Sequence, residues 1–290
     1  MTARTWRPED PGAVAIALDT LVADVHFRAD VAPRSLGHKA LAVNLSDLAA
    51  MGAQPRRALV HAAHPAPSPA WEEAFAAGIG ELAERFAVRM DRRPVRTGPL
   101  LVSVEIAGTF PGSAPPLLRS GARPGDLIYV TGTLGDAAGA LGGAGGLAAR
   151  LDRPEPRVAA GLALRSIATS AIDVSDGLCA DLGHVLRASG AGATLEAARL
   201  PLSGELCAAF GRKQATDLAL AGGDDYELAF TVPPGREKLL AGAELGVAVS
   251  RIGVVERGPG LRCLDGDGRP RSVPAGYEHF ATPRSTEPQE

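Results

Sequence analysis

The first hundred positions alternate between apolar runs and short polar breaks, and the period of each run names an element. Ala13 to Leu18 reads as a strand ending at Asp19. Ser35 stands where an N-cap belongs, for a helix running to Met51, and Gly52 follows in the position of a C-cap glycine. Leu59 to His64 is a second strand, closed by Pro65. Ser68-Pro69 with Glu72 and Glu73 opens a second helix, expected to reach about Phe86. Serine caps it, proline suits its first position, and the acids meet the positive end of its dipole. Leu100 to Ile106 is a third strand.

Arg119 to Asp126, with its glycines and proline, marks a domain boundary, giving domains of 1–121 and 122–283 and a loose tail of 284–290. Beyond it, strands are expected at Leu127 to Thr131, Ala171 to Val174, Tyr226 to Val232, Val247 to Val255 and Gly260 to Leu264. Ala137 to Ala149 is Ala/Gly-rich, so its helix is weakly specified. Ser175 is placed as the cap of a helix ending near Gly190. Strands and helices mixed in this way make an α/β (α+β) chain of two domains. No internal repeat stands out.

Composition narrows the field. The 290 residues are 46% hydrophobic, enough for sizeable cores. Lys plus Arg total 30 against 33 for Asp plus Glu, a net charge of −3, which argues against a nucleic-acid binder. Three scattered cysteines, Cys179, Cys207 and Cys263, suit a reduced cytoplasmic protein better than a disulfide scaffold. No apolar run approaches the ~18 residues of a membrane helix, and the polar start, Met1 to Asp10, does not read as a signal peptide.

Four segments carry candidate chemistry. In the helix to Met51, Asn44 falls within the apolar stripe Ala40, Leu41, Leu45, Leu48, and Asp47 sits on its border. From that helix alone, structural hydrogen bonds are the favoured reading. Ile172-Asp173-Val-Ser175-Asp176-Gly177 places two acids at a strand-to-helix junction, where a divalent cation bridging to phosphate would relieve their repulsion. Capping explains one of these residues, not all. Gly222-Gly223-Asp224-Asp225 combines close backbone approach with adjacent acids, and a plain turn competes evenly. Gly132-Thr-Leu-Gly135 before a helix is a weak phosphate-loop candidate. His61 and His64 fall on opposite faces of a strand and do not suit a shared metal.

Taken in order, Asp19-Thr-Leu-Val with His26-Phe27, Lys39-Ala-Leu-Ala-Val-Asn-Leu-Ser-Asp47-Leu-Ala-Ala-Met-Gly52, Arg119-Ser-Gly-Ala-Arg-Pro-Gly-Asp126, Asp173-Val-Ser-Asp-Gly-Leu178, Gly222-Gly-Asp-Asp-Tyr-Glu-Leu228, and Gly276-Tyr277 with His279-Phe280 resemble the thiamine-monophosphate kinases. These belong to the aminoimidazole-ribonucleotide-synthetase-like group of ATP-using enzymes. The resemblance implies that group's two-domain fold and transfer of the γ-phosphoryl group of ATP to thiamine monophosphate, giving thiamine diphosphate. It implies that Asp19, Asp47, Asp173 and Asp176 hold Mg²⁺, that Arg119 and Ser175 contact ATP, and that His26, Asp224 and Tyr277 contact the thiamine substrate. It also implies a homodimer through the N-terminal sheets. No side-chain nucleophile is required, since phosphoryl transfer asks for positioning and charge neutralisation.

Two departures from the family pattern are plain. The chain starts after the family's N-terminal helix, strand and Gly-Asp-Asp motif, which predicts an unpaired sheet edge and weaker dimerisation. Where Gly-Gly-Asp-Thr is expected, Asp91-Arg-Arg-Pro94-Val95 stands, so a metal-binding acid aligns with Pro94 and that corner turns positive. Homology resumes on both sides, and a local reading-frame change would account for it. These losses open a second reading, a non-catalytic or impaired homologue that binds thiamine phosphates or nucleotide. A third, a related enzyme acting on another small molecule, is disfavoured by His26 and Gly276-Tyr277.

Overall fold

The computed structural model describes residues 13–272 and arranges them as two sheets with helices packed between and around them. The first sheet runs β1 (Val14–Val22), β5 (Leu101–Thr109), β2 (Gln54–His64), β3 (Arg89–Arg92), and β4 (Arg96–Thr97) pairs with β2. The β1–β5 and β2–β5 ladders are antiparallel, while β3 and β4 run parallel to β2. Alternation along β1 points Ala15 and Leu21 inward and leaves Ile16 and Leu18 exposed. Asp19 shares the inward parity.

Helix α1 (Pro33–Ala50) lies against that inward face, with α2 (Pro69–Arg85) beside it. It starts two residues before the expected Ser35 cap. Pro33 occupies the first turn, where a fixed φ and missing N–H cost nothing, so no side-chain cap is used. Gly52 does adopt the left-handed conformation of a helix stop, at φ 67°. The expected single apolar stripe is too narrow a description: α1 is buried on nearly every side, wedged among the first sheet, α2, α5 (Val158–Leu164) and β7 (Ser170–Asp173) of the second sheet. Ser68 caps α2 as expected, accepting from the Trp71 N–H.

The second sheet orders as β12 (Pro270–Arg271), β11 (Gly260–Leu264), β8 (Gly192–Glu196), β10 (Val249–Glu256), β6 (Leu127–Thr131), β9 (Leu228–Val232), β7. Only β11 and β8 run parallel. The two-domain α/β fold expected from the sequence is the fold found. Strand β2 begins five residues earlier than expected because its first segment carries Pro55 at a register shift, which breaks the strand pattern. Ala137 to Ala149 breaks into α3 (Asp136–Leu141), a 3₁₀ turn and α4 (Ala148–Asp152), divided by the glycines at 142–146. Helix α6 (Leu178–Ser189) starts at Leu178, so Ser175 is not its cap. Strand β8 and the helices α5 and α7 (Gly204–Ala221) had no counterpart in the sequence reading. Gly211 interrupts α7 at φ 72°, which blurs its periodicity. No helix among the described residues is long and apolar enough to cross a membrane.

Candidate functional site

Three elements deliver acids to one place. The inward face of β1 carries Asp19, α1 carries Asp47 toward it, and β7 ends at Asp173. All three line a cavity of about 260 Å³. The loop after β7 adds Ser175 and Asp176, and the turn after β1 adds His26. Asp224, from the loop before β9, closes the opposite wall. Seven of the nine residues named from the sequence therefore meet in one cleft. Arg119 lies in a neighbouring cavity, and Tyr277 falls outside the described residues.

Hydrogen bonds fix the turns and loops that carry these side chains. The β1 turn is tied by the His26 ring, whose Nδ1 accepts from the Val22 N–H at 3.0 Å. Ser46, one residue before Asp47, donates to Asp173 Oδ2 at 2.8 Å, locking α1 onto β7. Asp181, in the first turn of α6, accepts from the Ser175 and Asp176 N–H groups, both at 3.0 Å. It does the anchoring that had been assigned to Ser175, and an acid in a first helical turn was its only sequence signal. The 222–225 loop crosses the Ser175 loop closely, with the Asp224 N–H donating to the Ser175 carbonyl at 2.9 Å. A Cβ on Gly223 would stand 2.2 Å from that carbonyl oxygen, so only glycine permits the crossing.

Asp224 is held by two partners the sequence reading had not assigned. Lys39, 2% exposed, donates to its Oδ2 at 3.0 Å, and the Tyr226 hydroxyl donates to its Oδ1 at 2.9 Å. Asp224 and Tyr226 both have positive φ, 64° and 51°, a strain that the surrounding bonds hold in place.

The Gly132–Gly135 loop is not a phosphate cradle. Its Gly132, Leu134 and Gly135 N–H groups donate to the Ala248 carbonyl, the Pro201 carbonyl and Asp225 Oδ2. Beneath it, fully buried Glu227 accepts from Thr131 Oγ1 at 2.7 Å and from Arg150 and Arg157. This network is structural support for the loop. Asn44 also does structural work, its amide donating to the Ala40 carbonyl at 3.0 Å.

Electrostatics single out the acid corner. Burial, then the neighbouring Asp173 and Asp19 charges, push the Asp47 carboxyl up to about 8. Burial raises Asp173 as well, against the opposing hydrogen bond from Ser46. Burial likewise lifts Asp181 to about 7. Arg119 favours the charged form of both Asp47 and Asp173. It faces a second cavity of about 500 Å³, which shares Asp47 and Asp173 with the first and is otherwise walled largely by apolar side chains such as Ile16, Ala17 and Leu118. Among the described residues no three acid, histidine or cysteine groups form a complete metal cage. Asp91 pairs with Arg57 on β2 and lines none of these cavities.

The chain is similar to known proteins over most of its length. The model of the AIR synthase related protein N-terminal domain matches residues 2–90, and that of the C-terminal domain matches 123–265. The thiamine-monophosphate kinase of Escherichia coli K12 is 44% identical over 286 residues, spanning 93% of this chain and 87% of the relative. The chain belongs to the thiamine-monophosphate kinases. Family members extend the match to structure: the thiamine-monophosphate kinase from Stenotrophomonas maltophilia superposes with a TM-score of 0.84 at 41% identity, covering 91% of this chain and 88% of its own. AaThiL, solved in complex with AMPPCP and TMP, follows at 0.81 and 31%, covering 92% and 87%. The hydrogenase maturation protein HypE shares the fold at 18% identity.

Proposed function

We propose that this protein transfers the γ-phosphoryl group of ATP to thiamine monophosphate, giving thiamine diphosphate. One observation carries the reading: Asp47 and Asp173 line both cavities at once. A phosphoryl group passing from a nucleotide in the Arg119 cavity to an acceptor in the His26–Asp224 cavity crosses between these two carboxylates.

Within that frame Arg119 pairs with nucleotide phosphates, and the apolar walls of its cavity take the base. Ser175 contributes its hydroxyl at the cavity wall. His26, Asp224 and Tyr277 receive the acceptor. The acids suit Mg²⁺: hard carboxylate oxygens, raised by burial and mutual repulsion, are what a divalent cation relieves. An incomplete cage fits too, because Mg²⁺ commonly takes one or two carboxylates and completes its shell with phosphate oxygens and water. Asp19, Asp47, Asp173 and Asp176 would hold Mg²⁺, one or two of them to an ion, and bound Mg²⁺ would neutralise charge on the transferring group. The protein's own part is to orient the two phosphates, exclude water and keep Arg119 near the developing charge. The transfer is direct, with no covalent enzyme intermediate.

The impaired reading is not favoured, since the retained acids converge on one cleft despite the change at Pro94. The exposed face of the first sheet supports the homodimer: Ile16 and Leu18 are 65% and 64% exposed, and Leu59 lies in register with Leu18 across Glu105. Sedimentation giving a dimer that Leu18→Glu dissociates supports this, and a monomer contradicts it. The site of action is the cytoplasm, where ATP is supplied. The activity is tested by chromatographic detection of thiamine diphosphate from Mg-ATP and thiamine monophosphate, with loss in Asp47→Asn and Asp173→Asn.

A further inference from the structure

The acceptor cleft has a second lobe. A cavity of about 240 Å³ adjoins the acid-lined one and shares Val25, His26, Leu141 and Asp224 with it. The two lobes differ in chemistry. The first holds the acid corner. The second is backed by Phe27 and Leu151, both 8% exposed, and its remaining wall is charged, with Asp24 and Asp152 set against Arg28 and Lys39.

Two of the four shared residues are apolar and conspicuously uncovered, Leu141 at 63% and Val25 at 57% exposure. Single exposed apolar side chains are ordinary. These two come from different domains, one from the end of α3 and one from the turn after β1, and both border the same two lobes. Neither position is demanded by the fold, since neither side chain is buried in a core. Together with His26 and Asp224 they form the wall common to the two lobes.

Resting on the acceptor reading above, the geometry points to Val25 and Leu141 as specificity-determining residues that grip the ring body of the phosphate acceptor. The acceptor's phosphate lies in the acid lobe, its cationic thiazolium ring passes between the two side chains, and its aminopyrimidine occupies the lobe backed by Phe27 and Leu151. An apolar pair beside the fixed Asp224 carboxylate accepts a flat, positively charged heteroaromatic ring and disfavours a small or polar phosphate ester. The nucleotide, in the Arg119 cavity, is untouched by this pair.

The test is calorimetric binding of thiamine monophosphate, and separately of thiamine, to the full chain and to Val25→Asp and Leu141→Asp. Thiamine lacks the phosphate and so reads the ring lobe alone. Both positions are exposed, so folding is expected to survive, and melting temperatures check it. Val25→Thr and Leu141→Ala serve as milder variants should either charge disturb folding. Leu239→Ala, an equally exposed apolar site on α8 (Glu237–Ala241), is the control. The expected result is affinity for both ligands weakened by ~10-fold in the Asp variants, with nucleotide binding unchanged and the control like wild type. Equal affinity in wild type and variants overturns the proposal, and so does a wild type that binds neither ligand. Binding that follows the expected pattern without turnover leaves the assignment of Val25 and Leu141 standing and removes only the kinase reading.

Discussion

Replacing Asp47 with asparagine should make the metal-free protein more stable while ending its function. Asp47 is nearly isosteric with asparagine, sits beside Asp173 and Asp19, and has its carboxyl pushed up to about 8 by burial and those charges. A folded-state value above the ordinary 3.8 means that the unfolded chain releases this proton first. The stability it contributes is full below 3.8 and is lost as pH rises through about 8. At about 1.4 kcal/mol for each tenfold in the proton equilibrium, the ceiling on that loss is roughly 6 kcal/mol. Water entering the open cavity and local relaxation reduce it to about 1–3 kcal/mol. For a chain of this size that is roughly 2–10 °C in Tm. The assay is thermal unfolding of wild type and Asp47→Asn from pH 5.5 to 8.5, with and without millimolar Mg²⁺. The variant should melt higher than wild type without metal, by a margin that widens toward pH 8.5, and it should lose most of the Mg²⁺-induced rise seen in wild type. A variant that melts lower at pH 8, or a gap that does not change with pH, would refute the electrostatic reasoning.

Other outcomes follow from the same geometry. Glu227→Ala leaves two partly buried arginines without their carboxylate and should cost about 2–4 kcal/mol in denaturant unfolding, whereas a loss below 1 kcal/mol would show the network to be dispensable. Arg119→Ala should raise the KM for ATP by about tenfold or more and leave the KM for thiamine monophosphate nearly unchanged; equal effects on both would move Arg119 out of the nucleotide cavity. Gly177 has φ 109° and a Cβ there would meet the Ala221 carbonyl oxygen at 2.6 Å. Gly177→Ala should therefore displace Ser175 and Asp176, lowering kcat by at least tenfold with a stability loss of about 1–3 kcal/mol; normal kcat would mean that the loop's position does not matter.

Much of the site was legible because strand parity and helix position are short-range properties. Alternation along β1 turns Asp19 inward with Ala15 and Leu21, and the Ser46–Asp47 pair on α1 finds Asp173 across a helix–strand contact. Lys39 was hidden for the opposite reason. Within an apolar helix its ammonium reaches a partner 185 positions away, and no local period announces that pairing. Asp181 was passed over because its donors, the Ser175 and Asp176 N–H groups, lie in the loop where Ser175 was expected to cap the helix. The Gly132–Gly135 loop was only a weak phosphate-loop candidate in sequence, and packing decides it: its N–H groups donate to Pro201, Ala248 and Asp225, all long-range partners. Strand β8 and helix α7 were missed where composition blurs periodicity, and the burial of α1 on both sides depends on a second sheet that no local pattern reveals.

The most direct measurement is turnover of the purified protein with Mg-ATP and thiamine monophosphate, followed by chromatography. Thiamine diphosphate should form in wild type and fall by at least a hundredfold in both Asp47→Asn and Asp173→Asn. No product from a wild type that binds both substrates, or full activity in the two variants, would contradict phosphoryl transfer between these carboxylates.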